Sequence, residues 1–165
     1  MYNGPLREYE NDVLVHSTTK ESWAKIKESM MIKSWNFASE SGDLKEKDPI
    51  GLLLKDPKEF RDYVMLGGYG FNNEIVVLCK QLGKLVYDKN MEYTPGARIY
   101  LDAKKLANEG LLLRDGMHLK VENSIDLNKY MIDVITPFDL SLDSFTPLSF
   151  STEADKEFRR RKKTK

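Results

Sequence analysis

A short apolar run, Val13-Leu14-Val15, ends in His16-Ser17-Thr18-Thr19 and passes directly into Lys20-Glu21-Ser22-Trp23-Ala24-Lys25-Ile26. This junction constrains the chain more than any other stretch. Residues 12–16 read as a strand and 20–32 as a helix, because Trp23, Ile26 and Met30 recur at i, i+3 and i+7 and give the second segment one apolar face. Thr18 and Glu21 fit a capping box, in which each side chain takes up an N–H left unpaired at the helix start. The strand therefore delivers His16 and two small hydroxyl residues beside the N–H-rich, positive end of a helix. That is a suitable place for a phosphate or another anion.

The rest of the chain reads as short elements divided by turns. The span 38–49 is polar and rich in breakers, hence a surface loop. Ile50 to Leu54 is a short apolar run, and Asp56-Pro57-Lys58 looks like a capped helix start with proline at its first position. Tyr63 to Leu66 fits a strand or the end of that helix. Gly67-Gly68-Tyr69-Gly70-Phe71-Asn72-Asn73 is a glycine-rich turn without the spacing of a phosphate-binding fingerprint. Glu74 to Leu78, β-branched and preceded by that turn, reads as the strongest strand, with a second strand at Lys84 to Asp88. Further on come a strand at 97–101, a helix at 104–109 capped by Asp102, and a hairpin through Arg114-Asp115-Gly116. A short segment at 125–127 precedes a final strand at 130–135. The sum is an α+β fold: two small mixed or antiparallel sheets packed face to face, with flanking helices.

Composition narrows the functional classes. At 165 residues, 41% hydrophobic and 32% charged, the chain suits one globular domain. We divide it into an N-terminal arm at 1–11, a single domain at 12–150 and a basic C-terminal tail at 151–165. Net charge is zero, but six of the last seven residues are basic. The body is thus acidic and no general nucleic-acid binder, and the tail reads as a solvated, mobile end. Cys79 stands alone inside an apolar run, as a buried thiol does, and neither a disulfide framework nor a zinc spacing exists. No metal is expected. The first residues lack a signal-peptide pattern and no apolar run reaches membrane-spanning length, so a cytoplasmic protein with no membrane partner is expected. Two histidines outside any Ser/His/Asp pattern give little support to a hydrolase triad.

The strand ending in His16-Ser17-Thr18, with the Trp23/Ile26 helix after it, resembles the opening motif of ADP-ribosyltransferase-fold proteins, closest to the catalytic lobe of the RNA 2′-phosphotransferase family. A second stretch is similar to the later part of that lobe: Tyr100-Leu101-Asp102-Ala103, then Glu109-Gly110, the hairpin Arg114-Asp115-Gly116-Met117-His118, and Asp126 to Met131. The resemblance implies NAD, as substrate, in a cleft between the two sheets. It implies that His16 hydrogen-bonds a ribose hydroxyl, that backbone groups at Ser17 hold the nicotinamide amide, that Thr18 fixes the strand end, and that Tyr63 stacks on the nicotinamide. Arg114 is the candidate phosphate contact. The late acidic group of such transferases has candidates in Glu74, Glu109 and Glu122, while Asp115 and His118 lie nearer the expected place. We carry Glu74, Asp115 and His118 as candidate catalytic residues. The Gly-Arg-Arg-His-Gly segment that binds RNA 2′-phosphate has no counterpart, and the serine expected after the second motif is Gly67. Three expectations follow. One is an NAD-dependent transferase with a protein or nucleic-acid acceptor. Another is a non-catalytic binding module with the same fold. The third is an RNA-associated 2′-phosphate-binding protein that uses the basic tail.

Overall fold

The computed structural model describes residues 4–42 and 57–164. The first strand, β1 (Val13–Thr18), runs antiparallel to β4 (Ala97–Asp102), and β4 in turn pairs with β8 (Met131–Ile135). A second three-stranded sheet is ordered β3 (Tyr63–Leu66), β6 (His118–Glu122), β5 (Leu112–Asp115). A two-stranded ribbon joins β2 (Met31–Lys33) to β7 (Ser124–Asp126). Every pairing is antiparallel. The fold is α+β, as expected. Among the described residues the α-helices are α1 (Lys20–Ser29), α2 (Trp35–Glu40), α3 (Asn72–Leu82), α4 (Ala103–Asn108), the single turn α5 (Leu127–Tyr130) and α6 (Pro147–Lys163).

Two cores lie on opposite faces of the β1–β4–β8 sheet. Leu14, Ile99 and Leu101 point between the sheets, where they meet Val64 and Leu66 of β3, Val121 of β6 and Leu112 of β5. Val13, Val15 and Tyr100 point the other way, onto Ile75 and Leu78 of α3 and Phe150, Ala154 and Phe158 of α6. Alternation along β1 therefore continues the Leu14 row into His16 and the Val15 row into Ser17. The two residues leave the strand on opposite faces.

Several elements depart from the sequence reading. Helix α1 ends at Ser29, because Met30 adopts a left-handed conformation (φ 55°), and the chain turns at once into β2. Its cap is Thr19, whose hydroxyl accepts the Ser22 N–H at 3.2 Å, so Thr18 completes the strand instead of capping the helix. The expected strand at Glu74–Leu78 is the middle of α3. Its apolar residues lie against the sheet and α6 at helical spacing, through Ile75, Leu78 and Cys79, and Gly83 closes it with a left-handed cap (φ 68°). Lys84–Asp88 is irregular, with Leu85 and Tyr87 exposed. The predicted loop over 38–49 begins inside α2, and its remainder from residue 43, the apolar run at 50–54 and the Asp56 cap lie outside the described residues. The helix start after Pro57 is a 3-10 turn at Lys58–Asp62.

The largest departure is at the C-terminal end. The division at residue 150 falls inside α6, which starts with Thr146 as cap and Pro147 at its first position. Phe150, Ala154 and Phe158 repeat every four residues and are buried, and the Phe158 ring stacks on Tyr100 with centroids 4.1 Å apart. The basic run is anchored as well: Arg161 bonds Asp133 at 3.2 Å and Asp139 at 2.9 Å, and Arg159 lies over the Tyr69 ring. At the other end the arm is tied to the sheet, the Leu6 N–H donating to the Leu112 carbonyl at 2.9 Å.

Candidate functional site

Beyond Val15 the first strand has no further strand neighbour on its open side among the described residues. Val15 exchanges both backbone hydrogen bonds with Gly67, at 2.6 and 3.0 Å, in an isolated bridge. In antiparallel geometry the N–H and C=O of Ser17, two residues on, face the same edge. Continuing that register would set Ser17 opposite Met65. The Met65 carbonyl is instead taken by the His16 ring, Nδ1 lying 3.1 Å from it. The histidine thus interrupts the β1–β3 ladder, and the strands separate around a cavity of about 680 Å³.

A carbonyl can only accept, so the His16 Nδ1 carries the proton in this contact. Burial lowers the imidazole to about 4, with the nearby Lys80 charge adding to the effect and the Met65 hydrogen bond opposing it. At neutral pH His16 is therefore uncharged, and its Nε2 is an acceptor suited to a ligand hydroxyl or amide.

Around the cavity stand Ser17 and Thr18 from the strand end, Lys25 from α1, Trp35 from α2, Arg61 from the 3-10 turn, Tyr63 from the start of β3, Asn72 and Lys80 from α3, and His118 from β6. The charged groups among the described lining residues are Lys25, Lys33, Arg61 and Lys80, all cationic. The Thr18–Lys20 corner is held from outside by Gly96: a Cβ there would lie 2.2 to 2.4 Å from backbone atoms of Thr18, Thr19 and Lys20, so only glycine fits.

Five of the residues predicted from sequence meet here: His16, Ser17, Thr18, Tyr63 and His118. Tyr63 has the Lys120 ammonium 4.0 Å from its ring centroid, so one aromatic face is already engaged. His118 is solvent-facing and meets the Phe60 ring edge-to-face at 5.1 Å. Three others lie elsewhere. Asp115 forms an ion pair with Lys120 at 3.1 Å on the β5–β6 hairpin, outside the lining. Arg114, its neighbour in β5, is also outside, its backbone N–H donating to the Gly4 carbonyl at 3.3 Å. Both departures have one cause: the hairpin belongs to the outer strand pair, and only its His118 end reaches the cavity.

Glu74 is the third. It sits one layer behind the wall, 1% exposed, and accepts from the Ser17 hydroxyl, from the Tyr93 hydroxyl at 2.5 Å and from Arg98 Nη1 at 3.1 Å. Burial raises its carboxyl above the ordinary range, against the pull of Arg98, Ser17 and Tyr93. Arg98, fully buried, continues to Asp155 of α6 through Nε at 2.9 Å and Nη2 at 3.2 Å, and to the Gly70 carbonyl at 3.0 Å. Burial alone would lower the guanidinium, but the two carboxylates hold it raised and charged. Tyr100 donates to Asp155 at 2.7 Å. Sequence reading missed this network, since it placed Arg98 and Tyr100 on one face of the strand at 97–101 and gave that face no partner. The available signal was the Phe150/Ala154/Phe158 spacing, which predicts a helix to cover that face.

No family model, curated protein or solved structure matches this chain.

Proposed function

We propose that the cavity binds a nucleotide with an anionic diphosphate, NAD or an ADP-ribosyl group, and holds it without turnover. The observation that carries this reading is the open edge of β1 beyond Val15, where a neutral histidine and the Ser17 backbone N–H and C=O border the cavity together. A strand edge offers adjacent donor and acceptor groups, the pattern that a carboxamide such as nicotinamide complements. The Nε2 of His16 suits a ribose hydroxyl. The volume falls within the range of small-molecule sites, roughly 300–1,000 Å³, and the cationic lining complements phosphates.

Binding without turnover is favoured over transfer by the lining itself. Among the described residues no carboxylate faces the cavity, and Glu74 is held behind Ser17 by three donors. ADP-ribosyl transfer to a protein or RNA acceptor is the second reading. It requires Glu74 to reach the ligand in place of the Ser17 hydroxyl.

Calorimetric titration with NAD tests the first reading. Micromolar-to-millimolar binding is expected, weakened at least tenfold in His16→Ala, with no nicotinamide released on prolonged incubation. Absence of heat with both NAD and ADP-ribose would remove the proposal. Nicotinamide release abolished by Glu74→Gln would establish the transferase reading instead.

A further inference from the structure

Among the described lining residues, Arg61 is a cation whose hydrogen bonding is incomplete. Arg61 follows Phe60 in the 3-10 turn before β3 and borders the cavity. Its Nε is buried and has no hydrogen-bond partner. A buried donor on a charged group is seldom left unpaired, because it has surrendered hydration without replacement. The guanidinium is nonetheless held in position, lying over the Trp35 ring with its carbon 5.7 Å from the centroid, within cation–π reach. Trp35 is in turn fixed at the start of α2, which Ser34 caps at 3.2 Å and which Asn36 ties to the same 3-10 turn through Asp62 at 2.6 Å.

Among the described residues, no neighbouring carboxylate accounts for the orphan. Asp62, next in sequence, is exposed and accepts from Asn36, and Asp115 is paired with Lys120. The side chain is therefore oriented and stacked, yet short of the acceptor that its fork requires. Nε–H together with one Nη–H forms the side-on edge that receives two oxygens of a phosphate or carboxylate.

We infer that Arg61 is the anion anchor of this cavity and grips the diphosphate of the bound nucleotide from the Trp35 side, while His16 and the Ser17 edge hold the ribose and base-like ring. This assignment rests on the nucleotide reading for the identity of the ligand, and on the orphan guanidinium for the anion. It supplies the phosphate contact that Arg114, outside the lining, cannot make.

Titrations of the full chain with inorganic pyrophosphate, ADP-ribose and phosphate-free nicotinamide riboside test it. Arg61→Gln is expected to weaken pyrophosphate and ADP-ribose at least tenfold and to leave nicotinamide riboside within twofold. Arg61→Lys, which keeps the charge and loses the fork, is expected to recover only part of the loss. His16→Ala should show the converse pattern, weakening the riboside and sparing pyrophosphate. If pyrophosphate binds and Arg61→Gln abolishes it while neither ADP-ribose nor NAD binds, the anchor stands and the dinucleotide reading falls. If ADP-ribose binds wild type and Arg61→Gln equally, with matching near-ultraviolet circular dichroism, the anchor is overturned and the nucleotide reading survives. Failure of every probe to bind wild type overturns both.

Discussion

The two faces of β1 treat charge in opposite ways. On the Ser17 face, Glu74, Arg98 and Asp155 are buried together, and each charged group has at least two partners. On the His16 face, cations gather around a cavity, and Arg61 retains a buried N–H with nothing to bond. A closed network is what a fold builds for its own rigidity; an incomplete one is what it presents to something else. The strand between them couples the two. Ser17 hands its hydroxyl to Glu74 on one side while its backbone borders the cavity on the other, so the closed face fixes the orientation of the open one.

The sharpest way to break this contrast is to remove the centre of the closed face. Arg98→Met leaves Glu74 and Asp155 buried without their countercharge, and is expected to cost about 3–5 kcal/mol of stability in urea unfolding. A loss below about 1 kcal/mol would mean that water already reaches the network. Next in size is Gly96→Ala, which drives a methyl group into the Thr18–Lys20 backbone and should cost roughly 2–3 kcal/mol while displacing the corner that both faces share. An unchanged melting temperature would show that the corner can yield.

The open face has its own signature in acid. Unfolded, His16 titrates near 6.5; folded, it resists protonation until about 4. Between those values the unfolded chain binds a proton that the native state refuses, so the contribution of His16 is intact above 6.5 and lost as pH falls. From about pH 7 to about pH 5.5 the loss should be on the order of 1 kcal/mol, and His16→Gln should remove it from the pH–stability curve. A parallel slope in the variant would contradict the neutral, buried imidazole. The smallest expected effect is Thr19→Ala, about 1 kcal/mol from the lost cap, measured by thermal unfolding. It should leave ligand affinity within twofold, since the hydroxyl bonds the helix and not the cavity.

The His16–Lys20 junction was legible in sequence because its signals are local: an apolar run, a hydroxyl residue and a helical period within a dozen positions. The hairpin at Asp115-Gly116 and the Asp102 cap were legible for the same reason. Glu74–Leu78 was not, because four consecutive apolar residues fit a buried strand and a buried helix equally well, and the deciding partner, α6, lies some seventy positions away. The basic run at 159–163 masked α6 itself: its charges describe the exposed face, while Phe150, Ala154 and Phe158 describe the buried one. Glu74 was named from sequence as a reactive acid. Its position behind Ser17 depends on Arg98 and Asp155, two residues that no short motif connects to it. Arg61 carried no sequence signal, because an unpaired N–H exists only once the surrounding fold has closed.

The contrast between the two faces is tested most directly by following backbone amide signals while NAD is added to isotopically labelled protein. The account predicts saturable shifts at His16, Ser17, Thr18 and Arg61, with Arg98, Tyr100 and Asp155 shifting little. Shifts centred on α6 and the Arg98 network, or no saturable shift at Ser17, would contradict it.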